Sequence, residues 1–288
     1  MSERDDVTVV MTFKNCERTL ARALISIIKQ TTTPDCVILI DDGSTDSSLD
    51  IALRFEEKKV RVFSDGKNLG LATRLNEGIE LTKTKYLARM DADDIMHPER
   101  LRKQKEYLES NPIIDILSTG YYLFIDDPFQ IVSHTNFEET KLLNFENIAK
   151  GSAILHPSVM GKTDWFKNNK YDALLSKCQD QELWERTVSF SNFARLSERL
   201  FYYKIDHPVN IKKIIETQLC SAKIAKARNK SDFKKYKIMK AYAKIAFYKS
   251  CQILRLEEYI SNKRLERLPK DRMLIQNAKE NVKEFLKV

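Results

Sequence analysis

Residues 85–109 read KYLARMDADDIMHPERLRKQKEYLE, and three kinds of local structure follow one another in that line. Lys85–Met90 is a short, largely apolar run of the kind found in a strand covered on both faces. Pro98 is well placed to open a helix running to about Glu109, because a residue without an N–H is tolerated in a first turn. Between them stand Asp91, Asp93 and Asp94. Like charges this close repel, and one of them tends to keep its proton. A strand therefore ends in carboxylates that cost stability unless something binds them.

Upstream, the same order of strand, polar loop and helix recurs. Val7–Thr12 (VTVVMT) is a near-continuous apolar strand. In RTLARALISIIKQ, Leu20, Ala23, Leu24, Ile27 and Ile28 fall on one helix face. Cys36–Ile40 is a second buried strand, and Asp46, Ser47 and Ser48 offer an N-cap for the next helix. Val60–Phe63 is a third strand, and NLGLATRLNEGIEL is a loop entering a helix. Alternation at this spacing predicts β-α-β units and a mostly parallel α/β sheet.

Ligands of open α/β sheets gather beyond the carboxyl ends of the strands. Asp41 and Asp42 follow the second strand, and Asp91 and Asp93 follow the fourth, so both pairs are expected in one crevice. Carboxylates can cluster there if they hold a divalent cation, and Mg²⁺ or Mn²⁺ prefers carboxylate oxygens together with substrate phosphates. An EF-hand loop is excluded, because the sixth position lacks Gly and no Glu stands twelve along. An aspartyl-phosphate phosphatase wants its DxD on an early strand with a Thr or Val two residues on. A nucleotidyltransferase wants a Gly-rich basic loop after its first strand, which is absent. A catalytically silent nucleotide-binding protein is the non-enzymatic alternative.

From Ile113 to Tyr203 the pattern is mixed, with strand candidates at Ile114–Ser118, Tyr121–Ile125, Ala194–Leu196 and Leu200–Lys204. After DHPVN the chain is Lys-rich and almost free of Gly, which predicts several helices. Ile211–Val288 carries 21 Lys and Arg against 8 Asp and Glu, a net +13. That leaves 28 against 33, a net −5, for Met1–Asn210. A mildly acidic body with a strongly basic tail implies different partners for each. Within the tail, Lys237, Lys240 and Lys244 lie along one helix side, and Met239, Tyr242, Ala243 and Ala246 along another. Such a helix either packs on the body or is drawn to anionic lipid. Nucleic acid is disfavoured as a partner, because no aromatic-basic recognition module is visible.

The five cysteines are scattered singly, which argues against a disulfide scaffold or a zinc site. The acidic start MSERDDVTVV lacks the order of a secretory signal, and no uncharged apolar run nears the ~18 to 20 residues that span a bilayer. A cytoplasmic protein is expected, with peripheral attachment to the inner face of the membrane left open.

Six stretches in order, TFKNCERTLARALISIIKQ, ILIDDGSTDSS, NLGLATRLNEGI, MDADDIMHPERLRKQ, HPSVM and CQDQELWERT, closely resemble the family 2 glycosyltransferases of GT-A fold. The resemblance runs from about Val7 to Tyr203. It implies a catalytic domain over residues 1–210, with a nucleotide-sugar half to about 112 and an acceptor half from about 113, followed by a basic helical region, 211–288. It implies an inverting, metal-dependent transfer from a nucleoside-diphosphate sugar, UDP being the first choice, to a glycan or lipid-linked hydroxyl, in cell-surface polysaccharide synthesis.

The same resemblance implies residue roles. Thr12, Phe13 and Asn15 would cradle the nucleotide. Asp42 would bind the base, with Asp41 supporting it or serving the turn. Arg74 would stand near the diphosphate or the aspartates. Asp93 would ligate Mn²⁺ or Mg²⁺, and Asp91 the ribose or a metal-bound water; Asp94 would be a third member or cap the turn. Asp180 matches the family's catalytic base, although Gln179 stands where a Glu is usual, and Glu182 is the competing candidate. Trp184 would wall the acceptor pocket or sit in the core. His156 would stand near the site or be structural, and Lys204 and His207 would face the phosphates.

Overall fold

The computed structural model describes residues 6–149, 153–228 and 232–287. Strand β1 (Val7–Phe13) runs between β2 (Cys36–Asp41) and β4 (Tyr86–Asp91), parallel to both, and β3 (Val60–Phe63) extends the sheet beyond β2. All seven residues of β1 are buried, as expected for a strand covered on both faces. Helices α1 (Leu20–Ile28), α2 (Ser48–Arg54) and α3 (Leu71–Leu81) form the crossovers. Leu20, Ala23, Leu24 and Ile27 of α1 are buried as the periodicity required, while Ile28 is exposed at the stripe's edge. The register sets Thr12 beside Asp91 and Phe13 beside Asp41. The two aspartate-bearing strand ends therefore share one edge.

Beyond β4 the sheet becomes mixed. The full order is β3-β2-β1-β4-β9-β6-β10-β5, where β5 is Ile95–Met96, β6 Ile116–Ile125, β9 Met160–Lys162 and β10 Phe193–Lys204. β7 (Asp127–His134) pairs with β6, and β8 (Lys141–Leu143) with β10. The four separate strand candidates of this half are two long strands, each read as broken in the sequence. β10 shifts register against β6 between Arg195 and Arg199, where Gly120 meets the carbonyls of Ser197 and Glu198. A bulge of this kind kinks a strand without ending it.

One expected helix start is displaced, and one falls where expected but is capped differently. Helix α4 (Arg100–Ser110) begins two residues after Pro98. In α2 the N-cap position, Ser47, makes no side-chain cap; Asp46 instead accepts from the Ser48 N–H at 2.9 Å.

Helix α4 also carries the cross-link between the halves. Arg100 is fully buried and donates to the carbonyls of Arg89 (2.9 Å) and Val159 (3.1 Å), and to Gln104 Oε1. Gln104 in turn donates to the carbonyls of Leu117 and Ser158. Burial, then the neighbouring charge of Arg89, pulls the Arg100 guanidinium down to about 9. This network ties β4 to β6 and to the 3-10 turn His156–Ser158.

Helices α5 (Phe145–Ala149), α6 (Thr163–Asn168) and α7 (Gln179–Thr187) pack on the mixed half of the sheet. The basic region consists of α8 (Ile211–Arg228), α9 (Asp232–Ile253), α10 (Glu257–Glu266) and α11 (Arg272–Leu286). It is not a detached tail. Ala278, Val282 and Leu286 of α11 join Ile95, Phe124, Ile131 and Tyr202 in one core cluster, and the Asp271 side chain caps the helix. The expected row of Lys237, Lys240 and Lys244 is split: Lys237 turns inward to Glu185 of α7 at 2.6 Å, while Lys240 and Lys244 are exposed.

Gly161 of β9 faces the Asp115 carbonyl and the Ile116 Cδ1, each 2.6 Å from where a Cβ would stand. The Asp115 carbonyl, just before β6, is already held by the Lys162 N–H at 3.1 Å, so it has little room to yield. Gly161→Ala is expected to destabilise the fold by about 1–3 kcal/mol, read as a lower urea midpoint at unchanged slope.

Candidate active site

Three cavities open along the carboxyl edge of β1, β2 and β4, and Asp91 lines all three. The smallest, about 310 Å³, is walled by Thr12, Phe13, Asn15, Asp42, Asp91 and Asp93 among others. Phe13 is buried in the core cluster, so it offers a wall and not a free ring. Asn15 adopts a left-handed backbone (φ +49°), and its side-chain carbonyl accepts the Thr45 N–H at 2.8 Å. Its first task is to tie the loop after β1 to the turn after β2.

That turn uses its aspartates unequally. Asp41 is buried and lies outside the cavity lining; it accepts from the Ser44 N–H (3.0 Å) and the Ser64 hydroxyl (2.8 Å). Its role is the turn. Gly43 (φ +72°) supplies the conformation, and a Cβ there would stand 2.9 Å from the Lys67 carbonyl carbon. Asp42 does line the cavity, but its oxygens already accept from the N–H groups of Leu69 (2.7 Å) and Gly70 (3.0 Å) and from Arg74 Nε (3.1 Å). Arg74 is buried, forked onto Asp42, Asp65 and Glu77. Burial alone would lower its pKa; the three carboxylates outweigh that and hold it charged. Of the two places open to Arg74, the structure puts it on the aspartates.

The cluster at the end of β4 is held by a residue the sequence reading passed over. Arg89, buried within the strand, is forked onto both oxygens of Asp91. Burial opposes its charge, and Asp91 more than offsets that, so its pKa is raised. The signal was present as a lone arginine inside an apolar strand.

Carboxylate oxygens of Asp91, Asp93 and Asp94 come within 4.8 Å of one another. Asp94 is fully buried and is no surface cap: one oxygen accepts the Lys204 N–H at 2.8 Å, and the other has no partner among the described residues. Burial first, then Asp93 and Asp91, push its carboxyl well up. Asp93, exposed at the cleft mouth, moves the same way, by the protein crowded around it and then by Asp91, with Lys204 and Lys213 pulling it back. An orphaned carboxylate oxygen in a crowded three-aspartate set matches the needs of a hard divalent cation.

The largest cavity, about 510 Å³, runs from Asp91 past Arg89, Tyr203 and His156 to Asp180 and Trp184. Asp180 lies in the first turn of α7. Burial raises its carboxyl, while the Gln181 N–H and then Arg89 hold it down. Glu182, the competing candidate, is not in the lining of this cleft; it is buried and paired with Arg186 Nε at 2.9 Å. Gln179 is buried, its Oε1 without a partner among the described residues. Trp184 is both core and wall: it stacks on Trp165, meets Phe193 edge to face, and lines the cleft. His156 hydrogen-bonds the Tyr171 hydroxyl at 2.7 Å, and burial keeps its ring neutral.

The third cavity, about 420 Å³, joins Asp91 and Asp93 to Lys204, Lys213 and Arg264. Lys213 and Thr217 of α8 line this cavity and the largest one alike. Neither was legible, because only tertiary packing brings α8 over the strand ends. His207, expected at the phosphates, turns instead to Asn262 of α10 at 3.2 Å and is not part of that lining.

The match to known proteins agrees with this geometry. Residues 8–168 fit the family described as glycosyl transferase family 2. The chain belongs to that family. An uncharacterized glycosyltransferase of Methanocaldococcus jannaschii is 32% identical over 218 residues, covering 74% of this chain and 75% of the relative. The putative glycosyltransferase EpsE of Bacillus subtilis is 30% identical over 192 residues, 65% and 68% of the two chains. In shape, this glycosyltransferase is similar to residues 1–349 of S. aureus TarS, solved in complex with UDP-GlcNAc: TM-score 0.64, 17% identity, 97% of this chain and 89% of that one. The fold is GT-A.

The cluster's electrostatics make two neighbouring aspartates opposite in effect. Asp91→Asn leaves the buried Arg89 guanidinium without its counter-charge and is expected to destabilise the metal-free protein by about 3 kcal/mol. Asp93→Asn removes a repulsion and is expected to leave stability unchanged or raised. Urea unfolding of both variants in a chelator checks the contrast.

Proposed function

We propose that the enzyme transfers a sugar, with inversion, from a nucleoside diphosphate to the hydroxyl of a glycan or lipid-linked acceptor. The observation that carries this reading is Asp91, shared by the cavity at the ends of β1 and β2 and by the cleft holding Asp180. Donor and acceptor sites that meet at one residue suit a single displacement. TarS has been solved with UDP and with UDP-GlcNAc, which supports a uridine nucleotide as first choice. Cell-surface polysaccharide synthesis at the inner face of the cytoplasmic membrane is the setting proposed. Residues 1–210 form the catalytic body on this reading, and the basic region completes its cleft through α8.

The roles follow from position. Thr12, Phe13 and Asn15 wall the nucleotide pocket; Asp42, held by Leu69, Gly70 and Arg74, keeps its loop in place and presents an edge to the base. Asp91 and Asp93, with the buried Asp94 behind them, would hold Mn²⁺ or Mg²⁺. A bound cation of this kind supplies positive charge for the departing diphosphate. Lys204 and Lys213 add to that charge from the other wall. Asp180 takes the proton of the acceptor hydroxyl as its oxygen bonds the anomeric carbon, and the bond from that carbon to the diphosphate breaks on the opposite face. Trp184 and His156 shape the acceptor wall.

Two measurements test this. Thermal unfolding with UDP, GDP, dTDP or CMP, each with and without Mn²⁺, is expected to show stabilisation by one nucleoside diphosphate only with metal. The gain is about 2.7 kcal/mol at 100 times the dissociation constant, and Asp93→Asn abolishes it. If no nucleotide stabilises the protein, the reading fails.

Asp180→Asn is expected to lower kcat by about 10²- to 10⁴-fold while leaving nucleotide binding intact. A base works ionised, and burial raises this carboxyl. Wild-type kcat/KM should therefore rise with pH through a step above the ordinary aspartate value, and that step should vanish in Asp180→Asn.

A further inference from the structure

Helix α9 carries apolar side chains on two opposite faces. The inner one, with Ala241, Ile245 and Cys251, is buried. The outer one is not: Tyr236, Met239, Tyr242 and Phe247 recur every three to five residues, between 50% and 66% exposed. Exposed lysines flank that stripe, Lys240 and Lys244 on one side and Lys235 and Lys249 on the other. At the helix end, Ile253 and the following Leu254 stay exposed beside Arg255. An apolar strip between rows of lysine is the arrangement of a helix lying in a bilayer interface. Among the described residues no helix is long and apolar enough to cross a membrane.

We propose that this outer face of α9 docks the enzyme on an anionic lipid bilayer, its side chains entering the acyl boundary and its lysines meeting the headgroups. Charge selects this occupant. Ile211–Val288 carries a net +13 against −5 for the rest of the chain, so the basic pole faces an anionic plane while the acidic body turns from it. A second copy paired across a two-fold axis would set the same lysine rows against each other. The site also gains from this placement. Lys237 on the inner side of α9 is paired with Glu185 of α7, the helix bearing Asp180. Helix α9 therefore stands between a bilayer on its outer face and the helix bearing Asp180, on the side where a lipid-linked hydroxyl would arrive. Docking deepens the transferase reading yet needs no donor and no turnover, so its failure leaves that reading standing.

The test is sedimentation of the full chain with vesicles of phosphatidylcholine, with and without phosphatidylglycerol. Binding is expected to the anionic vesicles only and to weaken with salt. Lys240→Glu with Lys244→Glu, and separately Met239→Ser with Phe247→Ser, should each weaken it by about tenfold or more. These positions are exposed, and unchanged melting and unchanged nucleotide stabilisation verify the fold. A Phe247→Trp reporter should shift its emission to the blue on anionic vesicles. No binding at low salt, or binding untouched by either pair, overturns the proposal. A dimer in solution that Met239→Ser with Phe247→Ser dissolves would give the face to a second copy and overturn it equally.

Discussion

The fork of Arg89 onto Asp91 is the interaction on which the site depends. Three carboxylates gather within one turn of chain at a strand end, and their repulsion opposes folding. The guanidinium buried behind them takes up the charge of the first. The strand carbonyl at Arg89 is itself gripped by Arg100. One arginine thus fixes the strand and the other fixes the carboxylate that leaves it. The charge of Arg89 also reaches Asp180, so the carboxylate at the strand end and the proposed base answer to one buried cation.

Around that pair, the two halves of the sheet do different work. The parallel half, β3-β2-β1-β4, aligns strand ends so that two loops meet over one pocket. The mixed half brings the cleft of Asp180 and Trp184 alongside. Its first strand, β9, runs antiparallel to both β4 and β6, with Gly161 allowing the Asp115 backbone to press close. The halves are then pinned by Arg100 and Gln104, whose hydrogen bonds reach carbonyls of β4, β6 and the turn at Ser158. Nε and Nη2 of Arg100 and both polar atoms of Gln104 are satisfied there, which favours one arrangement over near alternatives.

The C-terminal helices divide their tasks similarly. α11 is structural, closing a core cluster over β7 and β10. α8 is part of the cleft, bringing Lys213 to the acidic set. α9 packs against the body with one face and leaves the other, aromatic and lysine-edged, to solvent.

Much of this was already written in the chain. The parallel βα order, the shared edge of Asp41, Asp42, Asp91 and Asp93, and the six motifs of family 2 are local patterns. Strand burial, turn chemistry and like-charge crowding act between residues close in sequence, so a single chain displays them. Other features arise between distant segments. That Asp42 is spent on Leu69, Gly70 and Arg74, that Glu182 belongs to Arg186, and that His207 turns to Asn262 depend on which side chains arrive opposite. Strand breaks read at Gly120 and Ser197 were a bulge, because pairing with a neighbour sustains a strand through a local kink. Lys213 entered the site, and Lys237 left the lysine row, when α8 and α9 folded against α7. Sequence determined the elements and the charges each carries; tertiary packing decided which of those charges meet, because a side chain's partner is set by proximity in space.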